Sequence, residues 1–438
     1  MAYRNGFDVV VLGGGLAGLT AAAVAADPQA GAGHPRRVLL LDTRSVGGRA
    51  RTTDRVGFAF NEGPHALYRG GAGRAVLARL GITPTGGPPG VDGAKALRAG
   101  ALLPLPVSAR SLATTTMLGL RGKAQLASLL ARLGRIDTDA VAGLSVTAWL
   151  DDLDLRPDAR GVAETLLRVA TYADDFAALS ADAGVRQLQL AVGQGVDYLD
   201  HGWHQLVEAL TRVAVERGVT LRTNDRALAL HAEPDGSYTV DTVSSCVRAS
   251  AVVVAVGSPD ATRGLLPLDP GWELGRDSTA ACLDLGVRHP PSPPVIFGVD
   301  APLYLSTHCP PARLAPPGQA VVHLLRYGAR TAEADAAELW GLAATAGITD
   351  ADVVTHRFLR RMVVAHGLPR PGSGLTGRPA VGVPGLAGVT IAGDWVGPTG
   401  MLADASLASA EVAGRAAAGH ADAHRASVRR ASRRAAVP

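Results

Sequence analysis

Cysteine and lysine are scarce in this sequence. The three cysteines, Cys246, Cys282 and Cys309, are odd in number and far apart, which argues against a disulfide framework or a zinc site and fits a reducing cytoplasm. Among the 43 lysines and arginines, only Lys95 and Lys123 are lysines, a skew that we interpret as the coding bias of a GC-rich genome. We therefore expect no bound metal, and chemistry that requires a lysine has only these two candidates.

Long apolar runs are also missing, and none reaches the roughly 18 residues that span a bilayer. The chain enters an apolar strand pattern soon after Met1, so we expect no signal peptide. These absences predict a cytoplasmic protein whose membrane contact, if any, is peripheral. Arginines after Gly414 contribute much of the net charge of +4. We expect residues 421–438 to form a flexible basic tail, with contact to anionic lipid or nucleic acid as the alternative.

The clearest pattern lies at residues 7–20, FDVVVLGGGLAGLT. The apolar run 9–12 predicts a buried parallel strand, the glycines that follow predict a tight turn, and the Ala-rich stretch 19–26 predicts a helix. A second apolar run, 38–41, ends at Asp42, where an acid would accept hydrogen bonds from a ribose. G-x-G-x-x-G between a strand and a helix, with an acid after the next strand, predicts a dinucleotide site with its pyrophosphate at the helix N-terminus.

Four further segments resemble those of one enzyme family. Residues 43–53, TRSVGGRARTT, resemble the GGR motif of the flavin-containing amine oxidase and phytoene desaturase superfamily. In that superfamily the motif lies against the FAD pyrophosphate, which suits the donor fork of an arginine. Residues 57–68 resemble the segment beside the isoalloxazine ring, and residues 219–230 resemble the adenine wall. Residues 389–402 resemble the closing motif, which meets the ribityl chain and directs a helix N-terminus at the flavin.

The resemblance covers essentially the full length. It implies contacts with non-covalently bound FAD for twenty residues: Gly13, Gly15, Leu16, Ala17, Gly18, Asp42, Thr43, Gly47, Gly48, Arg49, Gly63, Pro64, His65, Ala66, Ala227, Gly257, Gly393, Asp394, Met401 and Leu402.

The resemblance also implies an α/β fold. A Rossmann-type FAD-binding domain, discontinuous and glutathione-reductase-like, is predicted at 1–85, 195–275 and 375–420. A second, mixed α+β domain that binds substrate is predicted at 86–194 and 276–374. Within it, apolar periodicity predicts helices at 112–133, 147–153 and 159–172, and a strand at 321–327. The closing motif is expected to continue into a helix that ends near Ala418.

Two departures from the superfamily bear on the reaction. The stretch 278–285 has no lysine where amine oxidases commonly hold one near the flavin, and Met401 and Leu402 stand where these enzymes commonly have an aromatic residue. The sequence thus leans toward the phytoene-desaturase and protoporphyrinogen-oxidase-like branch. We predict an oxidoreductase that dehydrogenates a C–C or C–N bond of an apolar small molecule by hydride transfer to flavin N5. Secondary, isoprenoid or tetrapyrrole biosynthesis is the expected setting, with oxygen or another electron acceptor.

Two other functions stay open. One is an amine or amide oxidase of natural-product biosynthesis, which forms an imine and releases hydrogen peroxide. The other is a flavin-dependent binding protein that holds lipid-like ligands without turnover. No nucleic-acid-binding module is recognisable in the sequence.

Three residues are candidates for catalysis. Glu62 is the candidate base or substrate anchor, although a salt-bridged loop acid is equally compatible with its position. Tyr172 would line the pocket or donate a hydrogen bond, and its alternative is a place at the edge of the core. Arg326 shares a strand face with apolar residues, so it needs a buried partner. A substrate oxygen or Glu62 could be that partner, and a purely structural ion pair is the alternative.

Overall fold

The computed structural model describes residues 6–31, 33–106 and 108–435. These residues form eleven α-helices: α1 (Leu16–Ala26), α2 (Ala72–Arg79), α3 (Ala109–Thr114), α4 (Leu120–Leu133), α5 (Val146–Asp152), α6 (Pro157–Thr171), α7 (Ala181–Gly193), α8 (His204–Glu216), α9 (Pro259–Arg263), α10 (Ala332–Thr345) and α11 (Leu402–Ala435).

They also form nineteen strands: β1 (Gly6–Leu12), β2 (Val38–Leu41), β3 (Thr52–Arg55), β4 (Phe58–Asn61), β5 (Leu67–Tyr68), β6 (Gly86–Gly87), β7 (Lys95–Arg98), β8 (Ala101–Pro104), β9 (Val196–Leu199), β10 (Thr220–Arg222), β11 (Ala227–Ala232), β12 (Tyr238–Thr242), β13 (Cys246–Val254), β14 (Ser278–Val287), β15 (Val295–Gly298), β16 (Leu303–Thr307), β17 (Ala320–Tyr327), β18 (Val353–Ala365) and β19 (Val389–Ile391).

The first sheet has the strand order β10-β2-β1-β13-β12-β11, and β19 pairs with β13. Strands β10, β2, β1, β13 and β19 run parallel, whereas β12 and β11 extend the sheet in antiparallel fashion. The residues of β2 and the end of β1 are buried on both faces. This double burial explains why both strands are continuous apolar runs rather than alternating ones.

Helix α1 follows β1 and packs against α8 and α11. Its side chains are mostly alanine, so neighbouring helices approach its backbone closely. Gly414 of α11 marks a very tight approach, because a Cβ there would lie 2.6 Å from the carbonyl oxygen of Ala21. Small residues on both helices therefore hold the N-terminus of α1 in a fixed position at the carboxyl end of β1.

The second sheet has the order β18-β14-β17-β16-β15-β7-β8, in which β15 and β7 pair in parallel and the other neighbours are antiparallel. Helix α10 covers one face, where Leu339 packs with Val322 and Leu324. The opposite face packs with Leu126 of α4 and Val162 of α6. The sheet is therefore buried on both sides, by one helix on one face and by the helical region on the other.

This architecture confirms the predicted fold class, a Rossmann-type domain joined to a second, mixed domain. The first sheet takes its strands from residues 6–41, 220–254 and 389–391, and the second from 95–104 and 278–365. The domain boundaries themselves stay a prediction. None of the helices in the described ranges is both long and apolar enough to cross a membrane.

Two helix predictions are wrong in their limits. The helix expected at 112–133 is divided into α3 and α4, because the Thr115 hydroxyl donates to the carbonyl of Pro104 and accepts from the Met117 N–H, which ends the first helix. The closing helix runs to Ala435 instead of ending near Ala418, so residues 421–435 of the predicted tail are helical, and residues 436–438 of it lie outside the described residues. Alanine and arginine favour helix, and ion pairs from Asp422 to Arg36 and from Arg425 to Asp8 fix its later turns.

Candidate active site

One cavity of about 1010 Å³ lies between the two sheets. Its volume is at the upper end of the range for ligand pockets, roughly 300–1,000 Å³, which leaves room for an extended ligand. Four parts of the chain supply most of the wall: the β1–α1 turn with the end of β2, the segment after β4, strand β18, and the start of α11. Eighteen of the predicted site residues line it: Gly13, Gly15, Leu16, Ala17, Asp42, Thr43, Gly47, Gly48, Arg49, Glu62, Pro64, His65, Ala66, Tyr172, Gly257, Gly393, Asp394 and Leu402.

The N-terminus of α1 forms a cradle for an anion. Gly15 caps the helix and no side chain binds the first N–H groups, which leaves those of Leu16 and Ala17 on the cavity wall. A Cβ on Gly18 would lie 1.7 Å from the carbonyl oxygen of Gly13, so this glycine permits contact between helix and turn. A Cβ on Gly15 would meet only open space. The open side of this turn therefore fits a diphosphate at the positive end of the helix.

Asp42 fixes the same turn from the end of β2. Its two carboxylate oxygens accept hydrogen bonds from the backbone N–H groups of Gly14, at 2.6 Å, and Arg44, at 2.7 Å. Each oxygen keeps a second lone pair. Because the carboxylate also lies on the cavity wall, it can accept a further hydrogen bond from a bound ligand.

Arg49 and Asp394, which come from two motifs far apart in sequence, form an ion pair. The two terminal nitrogens of Arg49 donate to Asp394 at 2.9 and 2.7 Å, and the His366 N–H donates to the same carboxylate at 3.0 Å. The Asp394 side chain is only 1% exposed, whereas that of Arg49 is 43% exposed. Burial opposes ionisation of Asp394, but the charge and hydrogen bonds of Arg49 outweigh it and hold the pKa of the carboxyl below its usual value. The pair closes the cavity between the first sheet and the end of β18.

His65 stands on the wall next to Pro64 and Ala66. Its Nδ1 lies 3.0 Å from the carbonyl oxygen of Gly63, and its ring makes an edge contact with Trp203 at 4.9 Å between centroids. Burial lowers the pKa of His65 to about 4, so the ring is neutral at pH 7. A carbonyl oxygen only accepts, so Nδ1 carries the proton and Nε2 is left as an acceptor.

The start of α11 supplies a buried acid that the motif analysis missed. Leu402 lies on the wall with a left-handed φ of 54°, and Asp404 follows two residues later. One oxygen of Asp404 accepts from the Gly73 N–H at 2.8 Å, while the other is buried without a partner in the described residues. Burial raises the pKa of Asp404 to about 6. Asp404 is among the residues that line the cavity.

Two of the three proposed catalytic residues reach the cavity. Tyr172 caps α6 in the left-handed conformation and contacts the ring of Tyr327 at 6.0 Å between centroids. Burial raises the pKa of the Tyr172 phenol well above its usual value, so it stays protonated as a donor. Glu62 is 31% exposed and lies 3.5 Å from Arg357.

The prediction that Arg326 is catalytic is wrong. The prediction that it shares a face with Val322 and Leu324 is right, but that face packs on α10 and not on the cavity. Arg326 binds Glu338 at 2.9 Å and also pairs with Asp335 of the same helix. The cavity is lined instead by its neighbour Leu325, on the opposite face of β17. Arg326 is therefore a structural ion-pair residue and has no contact with the site.

Four predicted cofactor residues also lie off the cavity wall. Gly18 and Gly63 do not line it. A Cβ on Gly18 would meet the Gly13 oxygen, and a Cβ on Gly63 would meet Met362. Met401 is buried in the core of the helical region, one residue before the wall begins at Leu402. Ala227 begins β11 and pairs with β12. Asp225, two residues earlier, donates its backbone N–H to the Asp42 carbonyl at 3.0 Å, and the adenine contact inferred for Ala227 stays a prediction.

Strand β18 contributes the wall residues that the sequence analysis did not find: Phe358, Leu359, Arg360, Arg361, Met362, Val363 and Val364. Beneath it, Arg357 pairs with the fully buried Asp284 at 2.6 Å. Asp284 also lies 2.6 Å from His323, and with Cys282 these two residues form a possible ligand group whose ligand atoms are all within 4.8 Å of one another. The guanidinium and imidazole already satisfy the Asp284 carboxylate, so the contacts present account for the group without a metal.

Comparison with known proteins now identifies the family. The profile of the flavin containing amine oxidoreductases matches residues 16–289, which is more than half of the chain. The chain belongs to this family. It is accordingly an FAD-dependent oxidoreductase, and its cofactor is a flavin. The cavity fits a flavin dinucleotide. The N-terminus of α1 with the open side of Gly15 provides donors for its diphosphate, and Asp42 provides an acceptor for its ribose.

Solved structures agree in fold across nearly the whole chain. An oxidoreductase from Methanosarcina mazei is 18% identical, with a TM-score of 0.72, and the match covers 92% of this chain and 99% of that one. A protein assigned as a protoporphyrinogen oxidase, from Exiguobacterium sp. 255-15, is 18% identical with a TM-score of 0.65, over 95% and 99% of the two chains. Cyclohexylamine oxidase from Brevibacterium oxydans IH-35A is 15% identical with a TM-score of 0.64, also over 95% and 99%. No curated protein matches the sequence.

Proposed function

We propose that this flavoenzyme binds FAD non-covalently and oxidises a C–C or C–N bond of a largely apolar small molecule. One observation carries the proposal: a single cavity joins the anion cradle of α1 to an apolar wall. Gly13, Gly15 and the helix start would hold the diphosphate, and Asp42 the ribose. The segment 64–66 and the start of α11 would hold the flavin end.

A bound flavin supplies the redox step by taking two electrons from the substrate as a hydride at N5. The chain's own residues bind the substrate, orient it and exclude water. Leu325, Leu359 and Met362 give the substrate an apolar surface. Tyr172, protonated at neutral pH, offers a donor to a polar group of the substrate. Glu62 and the Nε2 atom of His65 are the acceptors that could receive a substrate proton.

The lysine deficit favours dehydrogenation of an apolar substrate over conventional amine oxidation. Neither Lys95 nor Lys123 is among the residues that line the cavity. Secondary, isoprenoid or tetrapyrrole biosynthesis in the cytoplasm, with peripheral access to a membrane, is the setting that suits such a substrate. Oxygen or a second protein or quinone would reoxidise the flavin.

Amine or amide oxidation is the second candidate. It is favoured by the acids on the wall, since Glu62 and Asp404 could bind a substrate ammonium. Putrescine oxidase and cyclohexylamine oxidase, which share the fold, are named for amine substrates. This function would yield an imine and hydrogen peroxide.

An anaerobic titration of the purified protein tests both functions. The visible spectrum of the protein is followed while polyprenoid, tetrapyrrole and amine substrates are added separately. Bleaching by a polyprenoid or tetrapyrrole supports the first function, and bleaching by an amine, with peroxide formed in air, supports the second. A protein that cannot be reconstituted with FAD contradicts both. Denaturation should release the flavin into solution if it is not covalently attached.

Two substitutions test the residue roles. Glu62→Gln and Tyr172→Phe should each lower turnover while leaving bound FAD, because both side chains meet the cavity near the apolar wall. Tyr238→Phe is the matched control for the loss of a phenol, since this tyrosine begins β12, does not line the cavity and donates to the Ala387 carbonyl. Turnover equal to that of the wild type in both site variants would contradict the assigned roles.

A further inference from the structure

Strand β18 presents two adjacent arginines to the cavity. Arg360 and Arg361 both line the wall and both are exposed. The whole run 358–364 of β18 lines the wall, and the two arginines stand in its middle.

A β-bulge lies at these two residues. Ala280 of β14 pairs with Met362, and Cys282 pairs with Leu359, so the single residue Ala281 stands opposite both Arg360 and Arg361. Bulges of this kind redirect side chains and are common beside active sites. Because β18 is also the edge strand of its sheet, no further strand of the described chain covers the arginines.

The two arginines have no acidic partner. Within the described residues, neither side chain makes a hydrogen bond or an ion pair. Glu62 and Asp284, the carboxylates bonded to side chains of β18, both contact Arg357. Asp394 is bound by Arg49. Two neighbouring arginines without an acidic partner in the described residues thus stand on the cavity wall.

We propose that the substrate carries a carboxylate, which Arg360 and Arg361 bind while its apolar body lies against Leu359 and Met362. The planar fork of an arginine matches a carboxylate, and two forks can bind both of its oxygens. This proposal rests on the proposed function, because it assigns the cofactor to the α1 side of the same cavity and the substrate to the β18 side. It narrows the substrate to amphiphilic acids.

Binding of unreactive probes to the FAD-loaded protein tests the proposal. The probes are 2-naphthoate and dodecanoate, each compared with its methyl ester, and binding is followed by perturbation of the flavin spectrum. The wild type should bind each acid at least roughly tenfold more tightly than its ester at low salt, and added salt should reduce the preference. Arg360→Gln and Arg361→Gln should each weaken acid binding about tenfold, and the double variant should bind acid and ester alike.

The matched control removes two arginines elsewhere. Arg110→Gln combined with Arg135→Gln deletes the same charge at exposed positions that do not line the cavity, and should keep the acid preference. The affinity for FAD is measured in every variant and should not change. If the double variant at 360 and 361 binds FAD more weakly, the arginines serve the cofactor diphosphate and the proposal is wrong. It is also wrong if the wild type binds neither acid more tightly than its ester.

The same data separate this proposal from the proposed function. A wild-type protein that does not take up FAD contradicts the function itself. A protein that binds FAD but shows no preference for the acids contradicts only the proposal that the substrate carries a carboxylate.

Discussion

Asp404→Asn should stabilise the FAD-free protein at neutral pH, although it alters a residue on the cavity wall. The Asp404 carboxyl is buried, one of its oxygens has no partner in the described residues, and burial raises its pKa to about 6. In the unfolded chain its pKa would be near the usual value of 3.8. The folded protein therefore favours the neutral form, which asparagine imitates. The Oδ1 atom of asparagine can still accept from the Gly73 N–H.

The magnitude follows from the two pKa values. A group with a raised folded pKa contributes its stability below the unfolded pKa and loses it as the pH rises through the folded value. For Asp404 the loss occurs between about pH 4 and pH 6. The difference between about 6 and 3.8 corresponds to ~3 kcal/mol of unfolding free energy at pH 7 and above, on the scale of 1.36 kcal/mol for each pKa unit. The advantage of the Asn variant should shrink to about half at pH 5 and nearly vanish at pH 4.

Urea unfolding of the FAD-free proteins at pH 4, 5 and 8, followed by tryptophan fluorescence, measures this difference. Asp394→Asn is the matched control, because it makes the same change to a buried carboxyl on the same cavity. Arg49 holds the pKa of Asp394 below its usual value, so this control should destabilise the protein at neutral pH and lose its effect in acid. An Asp404→Asn variant that is less stable than the wild type at pH 8, or equally stabilised at pH 4 and 8, would refute the reasoning.

Three other substitutions have defined outcomes. Gly18→Ala should abolish soluble, FAD-binding protein, because its Cβ would lie 1.7 Å from the Gly13 oxygen, whereas Gly15→Ala should fold and bind FAD more weakly. Soluble yield and flavin titration distinguish the two variants, and equal behaviour would contradict the anion cradle at α1. Arg326→Met should leave FAD affinity and turnover unchanged and lower the unfolding free energy by ~1–3 kcal/mol, since Glu338 and Asp335 lose a partner. A loss of turnover without a loss of stability would show that Arg326 does act in the active site. Arg49→Met should lower the unfolding free energy by about 2–3 kcal/mol, which is less than the loss of a partner from a fully buried ion pair, because Arg49 is half-exposed. Adding Asp394→Asn to this variant should recover part of the lost stability in the same urea assay.

The cofactor half of the site was open to prediction because its signals are local. The turn from β1 into α1 needs glycines at fixed positions, and each requirement involves residues within a few positions of one another. Gly18 must lack a Cβ because the helix begins against the carbonyl of Gly13. Asp42 follows directly from the end of β2. Such constraints leave a pattern in the sequence whatever the rest of the chain does.

The half of the cavity that we assign to the substrate has no comparable pattern in the sequence. Both faces of β17 are apolar, so alternation placed Arg326 on the correct face without showing that this face meets α10. Met401 and Leu402 are adjacent and similar, yet only the left-handed residue reaches the wall. The bulge at Arg360 and Arg361 exists only in the pairing of β18 with β14.

By itself, the sequence determined the α/β class, the dinucleotide cradle and the family, because these depend on backbone conformation and on neighbouring residues. Only the tertiary structure decided which charges meet: Arg49 with Asp394, Arg357 with Asp284, and Arg326 with α10 rather than the cavity. The physical reason is that an ion pair is fixed by distances between segments that are remote in the chain, and hydrophobic periodicity carries no information about those distances.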